Sequence, residues 1–257
     1  VPRVLLIMII IVALIAPLLP IDPDATNVAS RLTGPSALHW FGTDELGRDY
    51  LARVIYGGRV SLLVGVLAML TSMIIGILVG TIAGYVGGLV DAFLMRFVDV
   101  LSSIPWLVLV TVISIFLTPG LSAIVLVIGL FSWMEIARLV RAETRSIKER
   151  EFVQYAQFSG ISAYGIIIRH VIPAAMPTII TAATTSLANA IMTESSLSFL
   201  GVGVQQPMSS WGSLLQDAQG TMQSAPYMAP IPGLLIVITI FSFNKLGNLL
   251  RIYADPR

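Results

Sequence analysis

The sequence has no cysteine. That excludes disulfides, thiolate nucleophiles and cysteine-ligated metals. It also has little charge. Only 11% of its 257 residues are Asp, Glu, Lys or Arg, less than half the ~25% of an average soluble domain. Such a chain cannot cover a core of this size with a polar surface. The net charge of +1 excludes a nucleic-acid binder that works by neutralising phosphates. Histidine is scarce: His39 and His170 are the only two. What the chain has is apolar. Hydrophobic residues make up 56%, and the mean hydropathy is +0.89. The bilayer is the solvent this composition fits.

The few charges are unevenly placed. Val60–Val90, Val100–Met134, Val171–Thr193 and Ala218–Asn244 carry none, whereas Arg138–Glu151 holds eight. A helix crosses the ~30 Å hydrocarbon layer in about 20 residues. The pattern predicts an all-α integral membrane protein, a single transmembrane domain over 1–257 with six spans near 1–19, 60–85, 93–117, 121–141, 174–200 and 232–251. The first run is short and opens without Met, so its beginning is expected to be missing; no A-x-A cleavage site follows it, and it reads as an anchor helix. A kink is expected at Pro105 and a tight turn at Thr118-Pro119-Gly120. Gly76, Gly80 and Gly84 form a small-residue stripe that lets another helix approach closely.

Lys and Arg orient the spans. Eleven of the 15 fall on one side: Arg3, Arg96, Arg138, Arg141, Arg145, Lys148, Arg150, Arg169, Lys245, Arg251 and Arg257. Basic residues favour the cytoplasm, so both termini and the 142–173 loop are expected there, with 20–59 and 201–231 outside. Thr43 is a candidate cap for an interfacial helix over 44–57, carrying the pairs Asp44–Arg48 and Asp49–Arg53 and ending at Gly57-Gly58.

The 151–173 loop reads as two short helices. Phe152, Tyr155, Ala156 and Ser159 share one face of the first, and Gly160 suits its C-terminal turn. Ser162 suits the N-cap of a second helix that ends at Pro173. Aromatic side chains on a short helix at polar depth suit docking into a groove of a soluble partner; an ordinary amphipathic loop resting on the membrane is the other reading. Glu194 lies inside the fifth span on the small-residue side made by Ala182, Ser186 and Ala190. An intramembrane carboxylate is a functional candidate, and a hydrogen bond fixing the helix end also explains it. Asn189 and Met192 accompany it as translocation-path candidates. Glu135 is expected to pair with Arg138 at the helix end. The two histidines fall on opposite sides and cannot form one metal site. Trp40, Trp106, Trp133 and Trp211 fall near expected interfaces.

The loop resembles the EAA loop of ABC importer permeases: E-A-A, three residues, G, nine residues, I-x-L-P. Here the triplet falls on Gln154-Tyr155-Ala156, the glycine on Gly160, and the end on His170-Val171-Ile172-Pro173. The glycine and proline keep the family's spacing; Gln154, Tyr155 and His170 depart from its consensus. Three further segments are similar to the peptide/nickel branch: His39-Trp-Phe-Gly-Thr-Asp-Glu-Leu-Gly-Arg-Asp49, Ala83–Asp91 with Met95-Arg96 and Asp99, and Glu194–Pro207 with Ser210-Trp-Gly212. The Asp255-Pro256-Arg257 ending also fits. The resemblance covers nearly the whole chain and implies the second, C-type permease of such a system, with a type I importer fold. It implies that Glu151, Phe152, Gln154, Tyr155, Ala156, Gly160, Ile161, Ser162 and Pro173 couple to ATPases, and that Gly42, Thr43, Asp44, Gly47, Arg48 and Asp49 form an external gate or loop motif.

The implied partners are a paralogous permease, two cytoplasmic ABC ATPases and an external or periplasmic binding protein, in a bacterial or archaeal inner membrane. ATP and magnesium would belong to the ATPases, since this chain has no G-x-x-x-x-G-K-[ST] loop. The implied cargo is a di- or oligopeptide; nickel or another small solute is the alternative. An intramembrane enzyme lacks H-E-x-x-H and a carboxylate pair. An ion-coupled carrier or channel has only Glu194 in its favour.

Overall fold

The computed structural model describes residues 2–254 except 118–119, so part of the 118–120 turn and the 255–257 ending lie outside the described residues. The helices are α1 (Pro2–Ile15), α2 (Tyr50–Val86), α3 (Gly88–Ser102), α4 (Trp106–Phe116), α5 (Leu121–Lys148), α6 (Glu151–Phe158), α7 (Ala163–Ile166), α8 (Ile172–Phe199), α9 (Trp211–Thr221) and α10 (Pro230–Ala254). A single π-helical turn, Ile167–Val171, joins α7 to α8. No strand occurs among the described residues; one isolated bridge pairs Thr43 with Asp49. Four helices are long and apolar enough to cross a membrane: Tyr50–Val86, Leu121–Lys148, the continuous Ala163–Phe199, and Pro230–Tyr253. Arg3–Leu18 is a shorter apolar helix.

The centre of the bundle is α2, packed along α5 and α8. The glycine stripe makes this possible. A Cβ on Gly76 would lie 2.6 Å from Ile136 Cγ2, one on Gly80 2.5 Å from the Ala137 carbonyl, and one on Gly84 2.7 Å from the Arg141 carbonyl. Lipid tails are as apolar as leucine, so close van der Waals packing rather than burial from water holds such helices together. On the other flank α10 packs on α8, and α1 on α10 and α2, around a cluster of Leu6, Ala13, Leu62, Leu187, Ile191 and Phe243.

Several expectations change. The 44–57 helix is not a separate interfacial element. Residues 44–48 form a turn, Asp49 caps α2 by accepting from Ala52 N–H at 2.8 Å, and the helix runs through Gly57-Gly58 for 37 residues. The glycines do not stop it because they are filled from elsewhere. A Cβ on Gly58 would lie 2.7 Å from the Trp211 ring. At 1.5 Å per residue α2 is about 56 Å long, so it projects well beyond the hydrocarbon. The Pro105 kink is a full break, with α3 ending at Ser102 and α4 beginning at Trp106. The fourth span continues past Arg141 to Lys148.

Pro173 does not end its helix either. It lies in the first turn of α8 just after the π turn. The wider turn accommodates a ring that would otherwise clash with the carbonyl four residues back. The 201–231 loop contains α9, closed by a reciprocal Ser210–Ser213 capping box. Trp133 and Trp211 are buried packing residues, unlike the exposed Trp40 and Trp106.

Candidate functional site

The 151–173 loop stands at one end of the bundle. Ile161 N–H donates to the Ala156 carbonyl at 3.2 Å and Gly160 N–H to Gln157 at 3.0 Å. That is a Schellman closure with the glycine left-handed at φ +78°. Ser162 then caps α7 through Gly165 N–H. The turn therefore fixes the angle between α6 and the helix that becomes α8. Val153 and Ala156 point inward and belong to one buried cluster with Tyr85, Ile136, Val140, Ile147, Val171 and Ala182. Tyr155 and Phe158 point outward, 76% and 90% exposed, with Phe152 half-exposed beside His170 at 6.3 Å between ring centres.

Glu151, Gln154, Ile161 and Ser162 are also on the outer surface, Glu151 in the first turn of α6. Ala156 faces the core, and Pro173 lies apart on α8. Sequence reasoning missed Phe158 as an outer aromatic and Val153 as the anchor, although Phe152, Tyr155 and Phe158 recur at three-residue spacing. Beside the loop, Arg141 grips Asp91 with two guanidinium nitrogens, and Lys148 donates to the Tyr85 carbonyl at 2.6 Å. The hydrogen bonds from Arg141, against some burial, hold the Asp91 carboxyl below its ordinary range.

A cavity of about 430 Å³ lies between α4, α5 and α8. Asn189 and Met192 line it, together with Thr181, Thr185, Ser132 and Glu135. Glu194 does not. It is 0% exposed and accepts from Ser61 Oγ at 2.9 Å and Ser198 Oγ at 2.7 Å. Ser61 Oγ in turn accepts from Trp211 N–H at 3.1 Å. Glu194 thus ties α2, α8 and α9 together, and its candidacy as a path-lining residue is corrected to that of a structural tie. The expected Glu135–Arg138 pair is corrected as well. Arg138 reaches Asp99 at 3.0 Å, and Glu135 faces the cavity.

At the opposite end, Gly42, Thr43, Asp44, Gly47, Arg48 and Asp49 come together as a folded knot rather than a helix start. Asp44 accepts from Leu46 N–H, Arg48 N–H, Arg48 Nε at 2.7 Å and Arg53 Nη1 at 2.8 Å. Burial alone would raise its carboxyl; those donors together hold it below the ordinary carboxylate range. The expected Asp49–Arg53 pair is replaced. Arg53 reaches Asp44 and Asp217, while Asp49 caps α2 and meets His39 Nδ1 at 2.9 Å. Asp217 on α9 is pushed up by burial, with Arg53 and Arg48 opposing. Gly47, at φ +73°, passes so close to Asn27 that a Cβ would lie 1.8 Å from its carbonyl oxygen. No sequence signal pointed to Asp217 or Tyr227, which closes the knot by donating to the Thr33 and Thr43 carbonyls.

A bundle of apolar helices with a rigid loop at one end and a side cavity is the architecture of a multi-pass membrane permease. The chain belongs to the family of binding-protein-dependent transport system inner membrane components, whose model matches residues 76–257. It is similar to the oligopeptide transport system permease protein OppC of Escherichia coli (strain K12), 42% identical over 99% of this chain and 85% of that protein. It is also similar to the dipeptide transport system permease protein DppC of Alkalihalophilus pseudofirmus, 38% identical over 96% of this chain and 82% of that one. A chain of the MetNI methionine ABC transporter, solved in inward facing conformations, superposes with TM-score 0.67 at 17% identity over 80% of this chain and 97% of that chain. That likeness shows the fold alone, one shared with a chain of an ABC transporter. Membership of the family implies ATPase and binding-protein partners.

Proposed function

We propose that this chain is one of two transmembrane halves of an ATP-driven importer of di- and oligopeptides, paired with a paralogous permease. The 151–173 loop faces the cytoplasm, as do both termini, and docks on one of two ATPase subunits. An external binding protein delivers the peptide, which passes between the two permeases. The chain itself performs no chemistry; ATP and magnesium act in the ATPases. The peptide assignment rests on the relatives' names.

One observation carries the mechanism. The inner face of α6 belongs to the same buried cluster as Ile136 and Ala182, and those two residues also line the cavity. Protein interiors are close-packed and transmit displacement rather than absorb it. ATP-driven closure of the ATPases moves α6 by its outer aromatic face. Val153 and Ala156 carry that displacement into α5 and α8, and the path switches from inward to outward access. Hydrolysis resets it.

The test is Gly160→Val in the assembled importer. Nothing lies within 4 Å of a Cβ at Gly160, but its φ is +78°, where a β-branched residue is strained by roughly 1–3 kcal/mol. The loop angle shifts while the bundle stays folded. Peptide uptake in proteoliposomes is expected to fall, with ATP hydrolysis either uncoupled from uptake or lost with the ATPase on purification. Normal coupled uptake by the variant would refute the docking role. Uptake of nickel but no peptide by the unmodified importer would refute the cargo.

A further inference from the structure

The cavity between α4, α5 and α8 has a feature that the transport mechanism above does not use. Two rows run side by side along α8. Ala182, Ser186, Ala190 and Glu194 are buried in the bundle. One residue earlier, Thr181, Thr185, Asn189 and Thr193 line the cavity, with Ala182 and Ser186 at its inner edge. Facing this row of neutral hydrogen-bonding groups is Glu135 on α5, the single charged side chain among the described residues lining the cavity. It sits at the middle of the 28-residue helix Leu121–Lys148, about 21 Å from either end.

Glu135 has no ion pair among the described residues, because Arg138 is engaged by Asp99. Trp106 and Phe131 line the same cavity. A carboxylate within a membrane-spanning segment is costly unless something repays it. One carboxylate, two aromatic rings, a row of hydroxyl and amide groups and no cation form a set that fits an ammonium group. The carboxylate pairs with it, the rings offer cation–π faces, and the α8 row hydrogen-bonds the neighbouring amides.

We infer that Glu135 is a cation-recognising, specificity-determining residue of the path, and that its ligand is a peptide ammonium. This deepens the importer reading and rests on it. The same chemistry has two sources, the α-ammonium that every free peptide carries and a lysine side chain. Glu194, although also a carboxylate in a span, is excluded from this role by its burial.

The test uses the complete importer, with its binding protein, in proteoliposomes. Uptake of Ala-Ala-Ala, Ala-Lys-Ala and Ala-Glu-Ala is compared for the unmodified chain, Glu135→Gln and Glu135→Asp, with peptide binding to the binding protein measured separately. Glutamine keeps the size and one acceptor oxygen and removes the charge. If the α-ammonium is the ligand, Glu135→Gln lowers uptake of all three by about tenfold and Glu135→Asp retains most of it. If the lysine is the ligand, only Ala-Lys-Ala falls and its advantage over Ala-Glu-Ala disappears. Glu135→Gln that matches the unmodified chain on all three peptides overturns the inference and leaves the importer reading intact. So does equal loss in the Gln and Asp variants, which marks a structural role. If the unmodified importer takes up none of the peptides, the reading beneath it falls first.

Discussion

Replacing Gly80 by valine tests what holds the bundle together. A Cβ there would stand 2.5 Å from the Ala137 carbonyl oxygen, 2.9 Å from Val140 Cβ and 3.0 Å from Arg141 N. Two of these three atoms belong to the backbone of α5, so no rotamer change relieves the clash. The helices must part by about 1 Å to bring the contact to an ordinary 3.5 Å. A gap of that size forfeits roughly a quarter to a half of each dispersion well along the seam. Gly76 and Gly84 lie on the same stripe, so their contacts with Ile136 and Thr144 loosen too. Overpacking ordinarily costs ~1–3 kcal/mol; with backbone on the receiving side, at least ~3 kcal/mol is expected here. The assay is reversible unfolding in mixed detergent micelles followed by circular dichroism. Gly233→Ala on α10 is the control, since its nearest new neighbour is Leu215 Cδ2 at 3.9 Å. Alanine there should be neutral or more stable by up to ~1 kcal/mol from helix propensity. The double variant Gly76→Val with Gly80→Val should cost less than the sum of the singles, because the first already opens the seam. If Gly80→Val unfolds together with Gly233→Ala, close helix approach is not what stabilises this interface.

Asp44→Asn should be severe, about 3–5 kcal/mol in the same assay, because it leaves buried Arg48 and Arg53 facing no carboxylate but Asp217. The knot also has a pH signature. The Asp44 carboxyl titrates below its ordinary value of 3.8 in the folded chain, so the stability it contributes is complete above that value and lost as pH falls through the lower folded one. Unfolding midpoints should therefore drop below pH ~3.8, and Asp44→Asn should remove that part of the slope; an unchanged slope would refute the assignment. Asp217, pushed up, works in the opposite sense, its contribution present in acid and lost as pH rises. Glu194→Leu should cost ~2–4 kcal/mol by leaving the buried Ser61 and Ser198 hydroxyls without their acceptor, and Glu194→Gln should cost less. Equal effects of the two would show that the hydrogen bonds are not what matters there.

Fold class, membrane residence and the turn of the 151–173 loop were legible because each depends on local sequence. A bilayer of fixed thickness demands apolar runs of a fixed length, and such runs can be counted. The Schellman turn needs a left-handed residue after a short helix, and Gly160 supplies it. The small-residue stripe on α2 showed that a helix packs there, though not that the helix is α5.

Tertiary structure decided the rest. Gly57-Gly58 reads locally as a helix stop, since glycine weakens helices; only Trp211, more than 150 residues later, makes it a packing site. Arg53 has an acceptor four residues back in Asp49, yet its partners are Asp44 and Asp217, because Asp49 is used as the cap of α2. The two acids within apolar helices were placed for the same reason. In sequence, Glu194 reads equally as a functional carboxylate or a structural hydrogen bond, and Glu135 as the partner of Arg138. Which one faces the cavity depends on how α5 and α8 are rotated about their axes when they pack against α2. Sequence determined that this chain lives in a membrane, and where the short helices and left-handed turn of the 151–173 loop fall; rotation and long-range contact decided which acid faces the cavity and which is buried.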